Sequence, residues 1–179
     1  MTSVRSITSL NVGGVVDRLR ALDLDKPHPE WDFTLPGLLH KSIFLRCHAG
    51  PTLDNWFQDL PVFDWPLFSA LPELRELLDQ AQAKIRQEGP IGELGRVVFS
   101  VVDPQGFIQW HVDLGEYAKA HRRFHISLFT TMHALIYAPG EIAHLPAGML
   151  AELDTQAPHS AGNWSDKARI HALFEMRRA

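Results

Sequence analysis

The part of the chain after Gly95 alternates short β-rich runs with proline and glycine breaks, and this pattern most limits the folds the chain can adopt. The breaks are Asp103-Pro104, Pro139-Gly140 and Pro146-Ala147-Gly148. Many short strands separated by regular turns are typical of a sandwich or jelly roll. The predicted strands are Arg96–Val102, Phe107–His111, Arg122–Phe129, Ala134–Ala138, Glu141–Leu145, Met149–Leu153 and Ala168–Met176.

The earlier part of the chain has helical patterns. Asn11–Leu22 has apolar residues at helical spacing, although two adjacent glycines weaken the prediction. Pro72–Glu88 carries a continuous apolar stripe and ends at Gly89-Pro90, so it is the clearest predicted helix. A further strand is predicted at His40–Cys47. We therefore expect an α+β fold, with N-terminal and flanking helices packed outside a double-stranded β-helix of the jelly-roll or cupin-like kind.

Two segments are predicted to be irregular. Asp23–Gly37 is rich in proline and acidic residues and reads as a loop. Gly50–Phe68 contains Trp56, Trp65 and several prolines. Its rings either cap the core or form a lid over a functional site, since long loops often serve that purpose.

Composition limits the class of protein and its partners. A chain of 179 residues that is 45% hydrophobic fits a single domain over residues 1–179. The net charge of −4 argues against nucleic acid or an anionic membrane as a partner. Cys47 is the only cysteine, so no intrachain disulfide can form. Because the sequence also shows no secretory signal and no membrane span, we expect a cytoplasmic protein.

Residues His111-Val112-Asp113 predict a metal site. Residues two apart on a strand face the same side, so His111 and Asp113 can offer a nitrogen and an oxygen to one ion. His159 would join them from another strand. Two histidines and one carboxylate on one face of Fe(II) leave the opposite face open for a co-substrate and dioxygen. A lone His-x-Asp pair is more often a surface pair, but His159 and Arg169 together favour the metal site.

Arg169 follows His159 by ten residues and predicts an anion site. Its guanidinium can bind a buried carboxylate through two parallel hydrogen bonds. Arg169 and His171 share a face of the predicted strand, where an unpaired arginine would be costly. A solvent-facing edge strand is the alternative. The order of these residues indicates oxidation of an unactivated C–H bond with 2-oxoglutarate.

Arg123-Phe124-His125 offers a second inward-facing pair. Both Arg123 and His125 could add positive charge for an anion. The alternative is a solvated strand edge, which is favoured more strongly for the neighbouring His121 and Arg122.

At these residues the chain resembles the aspartyl/asparaginyl β-hydroxylase family of Fe(II)/2-oxoglutarate oxygenases. It is most similar to the bacterial branch that includes free L-proline hydroxylases. A weaker similarity extends upstream through Phe44-Leu45-Arg46 and Leu71–Leu78. The matching elements are His111-Val112-Asp113, Arg123-Phe124-His125, Gly140-Glu141-Ile142, Pro158-His159-Ser160-Ala161-Gly162 and Arg169-Ile170-His171.

The resemblance implies a role for each residue. His111, Asp113 and His159 would be the iron ligands, and Arg169 would pair with the distal carboxylate of 2-oxoglutarate. Arg123 and His125 would line the same pocket, near the co-substrate's other carboxylate or the substrate. The reaction would consume dioxygen and 2-oxoglutarate, release succinate and carbon dioxide, and hydroxylate the substrate.

Two departures from the family pattern bear on the substrate. The vertebrate-type enzymes lack the carboxylate ligand, so Asp113 moves this chain toward the bacterial small-molecule branch. The proline hydroxylases carry a further C-terminal helical region, whereas this sequence ends at Ala179. We expect that part of the substrate enclosure is either absent or supplied by a partner chain in a homodimer, which makes free proline a doubtful substrate.

Two tryptophans adjoin the predicted metal site. Asn163 and Trp164 lie just after His159 and are predicted substrate contacts. Trp110 precedes His111, so strand alternation predicts that it points away from the iron and packs in the core.

The preferred function is hydroxylation of an amino acid, whether free, as a peptidyl aspartyl or asparaginyl residue, or tethered to a carrier protein. The alternative is a non-redox, cupin-like metal-binding protein, such as an isomerase or a small-molecule sensor. An inactive relative kept for protein interaction is the third reading, and the intact residue set argues against it.

Overall fold

The computed structural model describes residues 3–22, 32–33, 40–51 and 55–179. Most of the predicted loop Asp23–Gly37 lies outside these residues. The strands are β1 (Val4–Ser9), β2 (Asp32–Phe33), β3 (His40–Cys47), β4 (Phe63–Asp64), β5 (Leu94–Val102), β6 (Phe107–His111), β7 (His121–Phe129), β8 (Ala134–Ala138), β9 (Glu141–His144), β10 (Met149–Leu153), β11 (His159–Asn163) and β12 (Arg169–Arg177). The helices are α1 (Gly13–Ala21), α2 (Pro66–Ser69), α3 (Pro72–Glu88) and α4 (Gly115–Ala120).

The strands form two antiparallel sheets. The major sheet has the order β1-β10-β7-β12-β5-β3-β2, with β4 paired to β3. The minor sheet has the order β6-β11-β8-β9. Along the second half of the chain, the strands pass back and forth between the two sheets: β5, β7 and β10 lie in the major sheet and β6, β8 and β11 in the minor one. The architecture is therefore the predicted double-stranded β-helix.

The central strands β5 and β12 of the major sheet are buried on both faces, and the two faces differ in chemistry. On β12, Ile170, Ala172 and Phe174 belong to the main hydrophobic core. The alternate residues Arg169 and Glu175 line a cavity on the other face. Alternation along the strand therefore separates an apolar face, which contacts helices, from a polar face, which builds the site.

The helices cover the apolar face. The stripe of α3 is buried as predicted, and α1 contributes Val15 and Leu19 to the same core. Pro72 occupies the first turn of α3, where its missing N–H costs nothing. Among the described helices, none has both the length and the apolarity needed to cross a membrane. The buried residues of the α3 stripe are Leu74, Leu77, Leu78, Ala81 and Ile85.

The predicted strands after Gly95 are all present, with ends that shift by a residue or two. The sequence analysis missed β1 and the short helix α4. The predicted irregular segment Gly50–Phe68 contains the two-residue strand β4 and the start of α2, and residues 52–54 lie outside the described part. Of its rings, Trp56 and Trp65 both pack against Phe44.

Candidate active site

A cavity of about 500 Å³ opens between the two sheets. All six residues predicted for the metal and anion sites are close to it. His111, Asp113, His159, Arg123, His125 and Arg169 all line it. A volume of this size fits a small-molecule site.

The minor sheet brings the two histidines together. His111 ends β6 and His159 begins β11, and the two residues are direct partners in the antiparallel pairing of these strands. Their ring centroids are 4.2 Å apart. Asp113 follows β6, and its backbone N–H donates to the carbonyl of Thr155 at 3.0 Å. One potential ligand atom from each of His111, Asp113 and His159 lies within 4.8 Å of the others, so these residues could hold one metal ion.

Backbone carbonyls orient both imidazoles. His111 Nδ1 lies 2.7 Å from the carbonyl oxygen of Gln109, and His159 Nδ1 lies 3.0 Å from that of Ala157. A carbonyl can only accept, so Nδ1 carries the hydrogen and Nε2 keeps its lone pair for a metal. Burial also lowers the pKa of His159, which favours the neutral form that coordinates.

Asp113 supplies the anionic ligand atom. Its Oδ1 lies 3.6 Å from His111 Nε2. Its Oδ2 lies 2.5 Å from Arg123 Nη1, yet it is buried without a hydrogen bond of normal geometry. A buried carboxylate oxygen with no hydrogen bond has coordination capacity left. Two imidazoles and one carboxylate are a ligand set that fits Fe(II).

Arg169 is a buried cation without a counter-charge among the described residues. It is 2% exposed, and its Nε and Nη2 contact only the ring of His171, at 3.2 and 2.8 Å. Its Nη1 has no hydrogen-bond partner in the described part of the chain. Burial lowers the pKa of Arg169 to about 10, a value at which it is still charged at neutral pH. The site therefore offers a guanidinium with an available N–H donor, which is what a ligand carboxylate requires.

Arg123 and His125, which the sequence suggests act alike, differ in their surroundings. Arg123 donates to Glu175 Oε1 through Nη2 at 2.6 Å and also faces Asp113. It is thus held by the protein's own carboxylates. His125 is buried, and burial holds its pKa well below the usual value. Its Nε2 has no hydrogen-bond partner within the described ranges. His171 lies beside it, with 3.4 Å between the two Nδ1 atoms.

The predicted substrate contacts Asn163 and Trp164 lie outside the set of residues that line the cavity. The Asn163 amide is fully buried and donates to the carbonyls of Val102, Asp103 and Lys167, so it holds a turn together. The Trp164 indole donates to Tyr137 Oη at 2.8 Å.

Trp110 is also placed differently from the prediction. It is 57% exposed and lines the cavity, so it does not pack in the core. The prediction was wrong because the pairing of β6 with β11 shifts register between His159 and Ala161. The bulge breaks the strict alternation from which the prediction was made.

Sequence reasoning missed two charged residues of the cavity, Arg96 on β5 and Glu175 on β12. Arg96 is 2% exposed and Glu175 is 6% exposed. Arg169 was identified by its spacing from His159, and its place within an otherwise apolar strand supported the prediction. A charged residue within an apolar strand is also present in Arg96-Val97-Val98 and in Phe174-Glu175-Met176.

The profile of the family described as aspartyl/asparaginyl beta-hydroxylase matches residues 66–179, which is more than half of the chain. The chain belongs to this family. Residues His111, Asp113, His159 and Arg169 all lie within the matched region. No curated protein sequence gives a significant match.

Solved structures with the same fold come from bacteria and from a virus. An oxidoreductase of the 2OG-Fe(II) oxygenase family from Burkholderia pseudomallei matches with a TM-score of 0.59 and 14% identity, over 92% of this chain and 78% of its own. A Pseudomonas putida prolyl-4-hydroxylase matches with a TM-score of 0.54 and 14% identity, over 99% and 93%. The collagen prolyl hydroxylase of Paramecium bursaria Chlorella virus-1 matches with 0.53 and 10%, over 99% and 97%. At these identities the likeness shows a shared fold.

Family membership and the His-Asp-His cluster together identify the enzyme class. The protein is a dioxygenase that depends on Fe(II) and 2-oxoglutarate. The non-redox alternative is therefore not the function of this chain.

Proposed function

We propose that this enzyme hydroxylates a C–H bond of an amino acid, with His111, Asp113 and His159 as the iron ligands and Arg169 as the anchor for the distal carboxylate of 2-oxoglutarate. The observation that carries the proposal is the buried guanidinium of Arg169, which has no carboxylate partner among the described residues and lies in the same cavity as the three ligand atoms. A buried cation without a counter-charge is unfavourable, so a bound carboxylate would relieve a cost already present in the fold.

When bound, iron would supply the oxygen chemistry, and the residues of this chain would position and protect the reactants. His111 and His159 are fixed by their Nδ1 hydrogen bonds, so each directs Nε2 toward the ion. The Arg169 guanidinium holds one end of the co-substrate. Burial of this end of the cavity excludes water, which strengthens every charge interaction there.

Apolar side chains surround the opening of the cavity and support entry of a small organic substrate. Trp110, Leu114 and Phe57 line the cavity and are 57%, 64% and 42% exposed. The amino acid could be free, part of a peptide, or tethered to a carrier protein, and the opening is compatible with each.

The test is anaerobic titration of the Fe(II)-loaded protein with 2-oxoglutarate, with visible absorption as the readout. Chelation of the iron by 2-oxoglutarate should give a weak charge-transfer band. The band should need far more 2-oxoglutarate in R169A than in the wild type. The matched control is R86Q, which removes an exposed arginine from α3. A band that forms equally in R169A would reject the anchor, and succinate release with an amino-acid panel then tests the substrate class.

A further inference from the structure

A third arginine, Arg96, lines the cavity and is buried, and neither the iron nor 2-oxoglutarate requires it. Arg96 is on β5, with Val98 and Ser100 continuing along the same cavity-facing side of the strand. Val102, near the end of β5, pairs with Arg169. Six residues of strand separate Val102 from Arg96, or about 20 Å. Arg96 and Arg169 therefore lie toward opposite ends of the cavity.

Aromatic rings fix the Arg96 guanidinium. Its Cζ lies 3.6 Å from the ring centroid of Tyr117 and 4.2 Å from that of Trp56. Such contacts stabilise a cation but leave its N–H groups free to donate in the plane of the guanidinium. The rings thus hold Arg96 in one orientation without using its hydrogen-bonding capacity.

The backbone around this arrangement is built to accommodate it. Tyr117 Oη accepts a hydrogen bond from the backbone N–H of Arg96 at 2.7 Å. A Cβ at Gly95 would lie 2.4 Å from that hydroxyl oxygen, so only glycine leaves room for the ring. On the other side, Tyr117 N–H donates to the carbonyl of Phe57 at 3.2 Å. The aromatic segment near residue 57 is therefore attached to α4.

Most of the hydrogen-bonding capacity of Arg96 is unused. Nη2 donates to the carbonyl of Gln58 at 3.2 Å, and the buried Nε has no hydrogen-bond partner among the residues that the structure describes. Within the described residues, no carboxylate forms a salt bridge with Arg96, whereas Arg123 has two.

The charges that line the cavity do not balance. Among the described lining residues, the cations are Arg96, Arg123 and Arg169 and the anions are Asp113 and Glu175. The lining residue His125 adds no charge, since burial lowers its pKa well below the usual value. Fe(II) and the 2-oxoglutarate dianion cancel each other, so one positive charge remains, at the residue that has no counter-ion and no co-substrate.

We propose that Arg96 is the anchor for a carboxylate of the substrate. The inference rests on the proposed function and deepens it: the substrate presents a free carboxylate, so an amino acid joined to a carrier through that carboxyl group would not satisfy the site. Tyr117 and Trp56 are positioning residues, because they act through Arg96. The two arginines then bracket the iron ligands, one for the co-substrate and the other for the substrate.

The test compares each common L-amino acid with its own α-carboxamide, in assays of 2-oxoglutarate-dependent succinate release. The variants are R96Q, which removes the charge, R96K, which keeps the charge without the fork, and the exposed control R86Q. Loss of a charge-assisted hydrogen bond of this kind corresponds to a loss of affinity of about 100-fold. We expect R96Q to raise the KM for the stimulating amino acid by about 100-fold, with R96K intermediate and R86Q like the wild type. The KM for 2-oxoglutarate should change much less.

The outcomes separate this inference from the proposed function. A carboxamide that works as well as its acid in the wild type would overturn the Arg96 anchor while leaving the hydroxylase intact, and so would equal KM values for R96Q and R86Q. If an acidic residue in a peptide is the substrate, the peptide should also lose affinity in R96Q. If no amino acid stimulates turnover, the proposed substrate class fails. The anchor is then judged by the melting temperature with benzoate against benzamide: a larger rise with benzoate that is absent in R96Q supports it, and equal rises reject it.

Discussion

Arg169 on β12 is buried and Arg123 on β7 is mostly buried, on adjacent strands of one sheet, and their electrostatic surroundings are opposite. Arg123 lies between Asp113 and Glu175, and these two anions raise its pKa against the effect of burial. Among the described residues, Arg169 has only the His171 ring as a hydrogen-bond partner, and burial lowers its pKa. The comparison shows that burial of an arginine does not by itself indicate a binding site. The missing counter-charge does.

The largest effect on activity is expected from removing a proposed metal ligand, one of which, Asp113, contacts Arg123. His111→Ala removes one ligand and should lower hydroxylation by about 1000-fold, since a site with two ligands no longer fixes the metal. Asp113→Ala should have a similar effect on activity. Succinate release measures the loss, and far-UV circular dichroism checks the fold. Near-wild-type turnover in either variant would exclude that residue as a ligand.

Removing a carboxylate partner of Arg123 should destabilise the protein. Glu175→Gln leaves Arg123 with one carboxylate fewer in a buried position, and removal of one partner of a buried pair costs about 3 kcal/mol. Urea unfolding of the iron-free protein measures this change. Arg169→Met is the matched contrast. It removes a cation with no carboxylate partner in the described residues, so we expect no loss of unfolding free energy. Equal destabilisation by both variants would remove the distinction between the two arginines.

Replacing Arg169 should instead weaken the binding of the co-substrate. Arg169→Met should raise the KM for 2-oxoglutarate by about 100-fold, the effect of losing a charge-assisted, bidentate contact. Iron affinity should stay close to that of the wild type, because Arg169 contacts none of the three proposed ligands. Titration with Fe(II) in the absence of 2-oxoglutarate measures it. A parallel loss of iron affinity would mean that Arg169 supports the cavity as a whole.

The smallest expected effect is on the pH dependence of the free energy of unfolding. His125 and His171, beside Arg169, have pKa values well below the ordinary histidine value because they are buried. In the unfolded chain each takes up a proton near pH 6.5, whereas the folded form does not. The contribution of each neutral histidine to the free energy of unfolding is therefore complete above pH 6.5. It decreases as the pH falls below that value, by about 1.4 kcal/mol per histidine at pH 5.5.

Urea unfolding at pH 7.5 and 5.5 tests this expectation. His171→Gln should reduce the difference between the two pH values by about 1.4 kcal/mol. The exposed His133 provides the control, and His133→Gln should leave the difference as it is in the wild type. A variant at His171 that keeps the full pH dependence would show that this ring is protonated in the folded protein.

The sequence was sufficient to predict the features that depend on residues close together in the chain. Strand breaks, the α3 stripe and the two-residue spacing of His111 and Asp113 are all set by neighbouring residues, and the structure has them as predicted. The pairing of Arg123 with Glu175 was not predictable, because it depends on the register of β7 against β12. Trp110 was misplaced because a bulge changes which face a residue occupies. The short helix α4 has too few residues for a periodic signal, and it positions the Tyr117 ring on Arg96.

The direct pairing of His111 with His159 has a consequence for how the molecule holds together. An ion bound by both rings would act as a cross-link between β6 and β11, which are far apart in the sequence and are joined within a small sheet at its edge. Because the ion binds the folded arrangement and not the unfolded chain, its binding free energy adds to the stability of this strand pair. Metal loading and slow amide exchange in the minor sheet would then report the same event, and loss of the metal would loosen that edge of the sheet first.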